Sequence, residues 1–483
     1  MLVLVLMLVA GRYGFHRDEL YFVESGHHPA WATPDSPMLV PYLAAGWYDV
    51  VGGHLWAFRI LPALAVASFC LIAGLLAREF GGDRRHETAS VLATALTGLV
   101  LGTGHLFSTT TFDLAATSAT LWLLVRAVRD DRWGSWLAFG LAAGLAAEVK
   151  VLVFGVVGTA LVGLLLAGPR RAFRAPRLWA GLAIMVAVAA PNLVWQAVHG
   201  WPMRVIAANI AGGGSASSSD RIALVPNLLL MVGPVISVVM VTGVVWLCRS
   251  PRRERLGWVA IGFLLLVALL VLGGGKPYYP AGYLPALLAA GAIPLSDWVA
   301  ALRVRRAVAL VLLVVSALVT PLLTLPLAPV GSSLFRIGAA VNPDAAETVG
   351  WDGYVHTVAD VVDHLSPPVR RHAVVITSNY GEAGALTRAQ RLGSPTGRDL
   401  PPVFSGHNGF AFFGEPPQPT RTVVLVGWFE RSQPGQWFEH CREVARLRSP
   451  PGVDNEEAGA PVRVCEGPRE PWPRLWPTMA ELG

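Results

Sequence analysis

"GFHRDELYF" (residues 14–22) follows directly on an apolar N-terminal run, "MLVLVLMLVAG" (1–11). Four ionisable side chains, His16, Arg17, Asp18 and Glu19, therefore stand where a hydrophobic segment ends. The rest of the chain says what that segment is. Of 483 residues, 53% are hydrophobic and only 14% are charged, against about 25% charged in a soluble domain. Mean hydropathy is +0.50. Apolar runs recur near the length of about 20 residues that spans a bilayer. The chain reads as an integral membrane protein.

After a first loop at 11–55, apolar runs lie near 56–77, 89–107, 109–125, 135–149, 151–167, 180–196, 225–247, 258–273, 278–295 and 307–325. They are long and do not alternate, which fits helices and not barrel strands. With the N-terminal stub they predict a bundle of about eleven transmembrane helices. The loops "REFGGDRRHE" (78–87), "RAVRDDRW" (126–133), "PRRAFRAPR" (169–177), "RSPRRER" (249–255) and "RVRRA" (303–307) hold most membrane-proximal arginines. On this count all five fall on one side, which the positive-inside rule makes the cytoplasm. The net charge of +6 is then a topology signal and not a nucleic-acid groove. The stub is the exception. Ten apolar residues reach only about 15 Å, and a cleaved signal peptide would want a basic leader region, which is missing; the expectation is a true start upstream of Met1, the alternative a remnant helix.

From about 326 the composition turns to proline, glycine and mixed charge. "AVVIT" (373–377), "TVVLVGW" (422–428) and "PVRVC" (461–465) read as strands. The expected division is 1–325, a transmembrane catalytic domain with its first outer loop at 11–55, and 326–483, a small extracytoplasmic α/β domain. Residues 212–220, "GGGSASSSD", read as a flexible loop. Cys441 and Cys465 fall in the domain placed outside, where thiols oxidise, and are expected to form a disulfide.

The first loop, with Asp35 and "HHPAWATPDSPMLVPYLAAGWYDVVG" (27–52), is too apolar for a free loop and is expected to lie in the interface. Other turns on the same side carry Asp113, Glu148, Lys150, Lys276, Tyr278 and Tyr279. Ionisable groups at membrane level are costly and tend to be functional. Carboxylates can deprotonate an acceptor hydroxyl, and cations can neutralise a phosphate leaving group. A lipid-phosphate sugar needs both. No phosphate-binding glycine loop of either nucleotide type is present, which argues against a cytosolic nucleotide-sugar donor.

"RYGFHRDELYF", "WATPDSPMLVPYLA", "FRILPAL" (58–64), "GGGKPYYPAGYLPALLAAGA", "SNYGEAGAL" (378–386) and "SGHNGF" (405–410) together resemble family 39 glycosyltransferases of actinobacterial type. These are GT-C proteins related to protein O-mannosyltransferases and aminoarabinose transferases. The resemblance implies a polyprenyl-phosphate sugar donor, an extracytoplasmic protein, glycan or lipid acceptor, and an acidic pair whose first member is the base. Here the pair is Asp18–Glu19. Glu19 as base, or both acids as partners of Arg17, are the alternatives. Asp113 is either a helix cap after Thr111 or a second acid orienting acceptor or metal. Arg59 either snorkels or binds phosphate. His16 is a loop histidine or a phosphate contact, and Arg17 and Asp35 are further candidate substrate contacts. Tyr278 and Tyr279 are read as belt aromatics, with stacking of one of them on a sugar as the functional alternative.

Among 38 lysine and arginine positions only Lys150 and Lys276 are lysine; Lys276, after three glycines, is expected to meet the donor phosphate, with a snorkelling interface lysine as the alternative, and Lys150, beside Glu148, is a further candidate substrate contact. No cofactor motif is present, and a divalent metal stays open. The sequence predicts a multi-pass plasma-membrane enzyme acting on the outer face. The competing classes are a transporter or flippase of a lipid-linked sugar and a catalytically inactive envelope assembly protein.

Overall fold

The computed structural model describes residues 1–213, 220–249, 253–394, 396–397 and 399–483. The expected glycine–serine loop at 212–220 falls mostly outside them. Two compact units emerge. The first comprises Met1–Ala10, Ser36–Val40 and Arg59–Leu325; the second comprises Gly11–Asp35, Pro41–Phe58 and Pro326–Gly483. Most of the first loop, 11–55, therefore packs with the C-terminal part of the chain.

The first unit is helical. Each of the eleven apolar runs folds as helix, but they are not equal. Six helices among the described residues are long and apolar enough to cross a membrane: Leu55–Glu79, Thr109–Asp130, Pro176–Val198, Arg255–Gly273, Tyr279–Ala300 and Arg303–Thr324. A seventh span exists if Leu224–Val232 and Pro234–Arg249 count as one, although they meet at 111°. Gly233 makes that break with φ +96°, and Pro234 cannot continue the preceding helix. The run near 89–107 is likewise divided into Arg84–Ala95 and Gly98–Gly104, the second capped by the Thr97 hydroxyl. Trp133–Val149 and Leu152–Ala167 have 17 and 16 residues. The N-terminal stub is an eight-residue helix, Leu2–Val9.

Arg303–Thr324 has no buried residue, although its sequence is almost wholly apolar after the first turn. Such a helix needs lipid as its solvent. Elsewhere helices approach closely through glycine. A Cβ on Gly140 would collide with the Gly181 backbone, and one on Gly181 with Trp136 O, so Trp133–Val149 and Pro176–Val198 pack backbone to backbone.

Ion pairs join the basic connections. Arg129 pairs with Glu79, Arg177 Nη2 donates to Asp131 Oδ2 at 2.8 Å, and His86 Nε2 lies 3.2 Å from Asp297 Oδ1. Three of the five arginine-rich loops and the end of Tyr279–Ala300 are thus tied together at one end of this unit. Asp113 sits near the start of Thr109–Asp130 and Arg129 at its finish, sixteen residues or about 24 Å apart at 1.5 Å per residue.

The second unit is an α/β fold. Its strands are β1 (Val374–Thr377), β2 (Val403–Ser405), β3 (Thr422–Val426), β4 (Phe438–Arg446) and β5 (Pro461–Pro468), in sheet order β2-β1-β3-β5-β4. β1 pairs in parallel with β2 and β3, and β5 runs antiparallel to β3 and β4. β1, β3 and β5 match the expected strands. β2 is only three residues long, and β4 is an exposed edge strand with charges throughout, so neither carried a hydrophobic signal. The core is built on Val374, Ile376, Val423, Leu425, Phe438 and Trp472. Cys441 faces Cys465 across β4 and β5 and is joined to it by a disulfide.

Candidate functional site

The stretch that opens the second unit's sequence is the start of a helix, Arg17–Gly26. Its first turn is locked by a reciprocal capping box. His16 Nδ1 accepts from Asp18 N at 3.1 Å, and Glu19 Oε2 accepts from His16 N at 2.8 Å. Each end of the box satisfies a backbone donor that the helix itself cannot. Glu19 is buried and His16 nearly so; both side chains hold the turn in shape. Asp18, between them, is only half-buried.

A second helix, Tyr380–Arg391, lies against Arg17–Gly26. Its start is capped by Asn379, with Glu382 completing another capping box. The approach depends on two glycines one turn apart: a Cβ at Gly381 would sit 2.7 Å from Arg17 Cβ, and one at Gly384 2.8 Å from Leu20 Cβ. Polar contacts close both ends of the pair. Tyr380 Oη donates to Asp18 Oδ1 at 2.9 Å, and Arg391 Nη2 donates to Glu24 Oε2 at 2.6 Å. The Tyr380 ring has the Arg17 guanidinium 5.1 Å from its centroid, Tyr21 at 4.6 Å and His407 at 4.8 Å. Burial and the neighbouring Asp18 carboxylate hold the Tyr380 phenol well above the usual tyrosine range, so it serves as a donor.

Asp35 belongs to the same unit. Its Oδ1 accepts from Tyr21 Oη at 2.6 Å and from Thr33 Oγ1 at 3.0 Å, and Tyr21 Oη in turn accepts from Gly409 N at 3.0 Å. Gly409 lies in the "SGHNGF" stretch, so this network joins the first loop to that motif.

Arg17 is buried and surrounded by carboxylates. It pairs with Glu456, and its Nη1 lies 3.8 Å from Glu347 Oε2. Glu382 and Glu457 are buried nearby. Burial, joined by the charge of Glu457, pushes both Glu347 and Glu382 up to about 8. For Glu382 the donors Ser378 and Asn379 pull the other way and lose. Glu457 is also raised by burial. Among the described residues no group of three or more His, Cys, Asp or Glu side chains is arranged to hold a metal ion.

The other candidates are in the first unit. Asp113 is buried and accepts from Thr117 Oγ1 at 2.7 Å. The cap of its helix is Ser108, whose hydroxyl accepts from Thr111 N, so Asp113 is not the cap. Lys150 Nζ donates to Thr110 Oγ1 at 3.3 Å and stands 5.2 and 5.1 Å from the ring centroids of Tyr278 and Tyr279. Those rings meet edge to face at 5.4 Å. Lys276 is half-buried in the same turn, where its carbonyl accepts from Tyr279 N at 3.1 Å. Gly274 before it has φ +82° and backs onto Ala211, so this glycine serves the turn itself. Arg59 is 1% exposed, and its Nη1 donates to Ala10 O at 3.0 Å; it does not snorkel to water.

Asp113, Lys150, Lys276, Tyr278 and Tyr279 are thus one neighbourhood of the first unit, and His16, Arg17, Asp18, Glu19 and Asp35 one neighbourhood of the second. Sequence reasoning missed Tyr380, Tyr21 and the carboxylates around Arg17. One signal was present: asparagine followed by glutamate three residues on, with glycines at 381 and 384, marks a capped helix built for close packing.

Residues 35–195, a third of the chain, match the family model described as dolichyl-phosphate-mannose-protein mannosyltransferase. No curated protein matches the sequence. Among solved structures, ArnT from Cupriavidus metallidurans bound to undecaprenyl phosphate is similar over 96% of this chain and 96% of that chain, with 15% identity and TM-score 0.58. Its apo state is similar over 99% and 97%, with 15% identity and TM-score 0.59. An oligosaccharyltransferase from Archaeoglobus fulgidus, tethered with an acceptor peptide, aligns over 83% and 63% with 12% identity and TM-score 0.49.

Proposed function

We propose that this chain, a membrane protein of GT-C fold that resembles family 39 glycosyltransferases, moves a sugar from a polyprenyl-phosphate donor to an acceptor on the outer face of the plasma membrane. The observation that carries the reading is the state of Asp18. His16 and Glu19 are buried and fix the turn, and Arg17 is buried among carboxylates, while Asp18 is half-exposed at the helix start. Among the described residues its Oδ2 takes no hydrogen bond, whereas Oδ1 is held by Tyr380. A carboxylate fixed on one oxygen and open on the other suits a general base.

In this mechanism Asp18 takes the proton of the acceptor hydroxyl as that oxygen attacks the anomeric carbon. The bond from that carbon to the phosphate oxygen breaks, and polyprenyl phosphate leaves with the electron pair. The configuration at the anomeric carbon inverts. Lys150 and Lys276 are assigned to the phosphate, whose charge rises as the sugar departs. Tyr278 and Tyr279 fix the Lys150 ammonium over their rings. Asp113 and Arg59 are assigned to orienting substrate. Glu19 and His16 are assigned to the helix start and not to the reaction. ArnT bound to undecaprenyl phosphate supports a lipid-phosphate donor by shared fold alone. The acceptor is a protein, glycan or lipid outside the membrane.

The orientation rests on the charge pattern. The paired arginine loops at one end of the first unit read as cytoplasmic, which puts the Asp113 end of Thr109–Asp130 outside. The break at Gly233 is the feature a transporter would use, but residues 224–248 contain no ionisable side chain other than the Cys248 thiol, so the charged side chains of an intramembrane relay are missing from it.

Membranes given radiolabelled undecaprenyl-phosphate mannose, arabinose or aminoarabinose test the reading. Label moved onto an acceptor is the expected result. Donor that crosses the bilayer without transfer would identify a flippase, and neither event a scaffold.

A further inference from the structure

We infer that Tyr380 is a positioning residue for Asp18, holding one carboxylate oxygen so that the other faces the acceptor. This deepens the reading of Asp18 as base and rests on it. The two residues lie 362 positions apart in sequence, yet Tyr380 Oη is 2.9 Å from Asp18 Oδ1. The phenol has little freedom to be elsewhere. Its ring is packed by Tyr21, His407 and the Arg17 guanidinium, and its backbone is fixed at the first position of a helix closed by the Asn379–Glu382 capping box. The Gly381 and Gly384 contacts set the height of that helix against Arg17–Gly26. Asp18 has two freely rotating bonds and no other side-chain hydrogen bond among the described residues. Without Tyr380 no other side-chain hydrogen bond among the described residues fixes the plane of the carboxylate. A neutral donor to an ionised carboxylate is a strong hydrogen bond, and positioning of a reacting group contributes directly to rate.

A structural part of the same helix contact supplies the control. Glu24 and Arg391 tie the far end of the two helices and touch neither Asp18 nor Tyr380. Loosening the pair there should leave turnover intact if Tyr380 acts through Asp18.

The experiment uses the full chain in nanodiscs with whichever radiolabelled undecaprenyl-phosphate sugar the wild type turns over. Tyr380→Phe keeps the ring and its stacking and removes only the hydroxyl. It should lower kcat about tenfold, with donor KM unchanged. Asp18→Glu keeps a carboxylate but pushes it past the phenol, so Tyr380→Phe should cost less than twofold in that background. Glu24→Gln should retain wild-type kcat. Heat-unfolding midpoints of all variants separate folding from turnover. Wild-type kcat in Tyr380→Phe, with Asp18→Asn inactive, would overturn the inference and leave the base intact. An equal loss in Glu24→Gln, or a full tenfold loss from Tyr380→Phe on top of Asp18→Glu, would make the tyrosine merely structural. An active Asp18→Asn would remove the base reading itself, and this inference with it.

Discussion

The two polar neighbourhoods solve the same problem by different means. In the first unit the cation Lys150 meets a threonine hydroxyl and two tyrosine rings, and the charge of the buried Asp113 carboxylate also acts on it. In the second, Arg17 is met by carboxylates, Glu456 and Glu347, with Glu382 and Glu457 buried nearby. A membrane region cannot hold many charges, because each costs several kcal/mol to desolvate; there rings and hydroxyls help to stabilise a cation beside the Asp113 carboxylate. A water-facing α/β unit tolerates a dense charged cluster, provided part of it binds protons. The comparison teaches that charge density alone does not mark the chemistry. The densest cluster, around Arg17, is where the first helix of the loop is anchored, and the reactive candidate, Asp18, stands beside it.

Loss of the Asp18 carboxylate should hurt most. Asp18→Asn keeps the shape and loses the base, and transfer should fall by about 10²–10⁴, with donor binding and unfolding temperature nearly unchanged. Glu19→Gln should keep most activity, since the amide oxygen still accepts from His16 N. A dead Glu19→Gln beside an active Asp18→Asn would reverse the two roles.

Next come the lysines of the first unit. Lys276→Ala should lose most activity and weaken donor affinity, and Lys276→Arg should lose somewhat less, because the wider guanidinium replaces a compact charge. Lys150→Arg should be milder than either, since a guanidinium also stacks over tyrosine rings. Turnover by Lys276→Arg equal to wild type at saturating donor would reduce Lys276 to an interface anchor.

The disulfide contributes to the second unit alone. The loop closed by Cys441 and Cys465, 24 positions apart, is worth about 3 kcal/mol in the chain-entropy model. Replacing both cysteines by alanine should lower the unfolding midpoint of that unit. Two free thiols found by mass spectrometry in the native protein would contradict both the bond and an extracytoplasmic placement.

The smallest effect is in pH. Glu347 and Glu382 have folded values of about 8 against 4.5 for the ordinary side chain. The folded state therefore binds more protons than the unfolded state between these values, and stability contributed by the protonated carboxyls is full below pH 4.5 and lost as pH rises through 8. The unfolding midpoint of the second unit should fall across that window. Glu382→Gln, which stays neutral, should flatten the fall; an unchanged slope would contradict the assignment.

What could be read from the sequence follows from the range of the interactions involved. Helical runs and arginine loops are local patterns, and the eleven runs are helical, although Gly233–Pro234 and Thr97–Gly98 cut two of them. Those dipeptides were the available signal, since glycine and proline interrupt helices. The pair Asp18–Glu19 stood out by its place after an apolar segment. Its division of labour did not, because a capping glutamate and a catalytic one look alike until the His16 backbone bond is seen. Tyr380 was out of reach: nothing within its own helix says that its hydroxyl meets a residue 362 positions earlier. The partners of Arg17, Glu347 and Glu456, also come from distant segments and were hidden for the same reason.

A structure of the chain with an undecaprenyl-phosphate sugar bound tests the central claim most directly. The account predicts that Asp18 Oδ2 lies on the side of the anomeric carbon opposite the phosphate, leaving room for an acceptor oxygen within about 3 Å of the carboxylate. A bound donor whose anomeric carbon is turned away from Asp18, or faces another carboxylate, would contradict it.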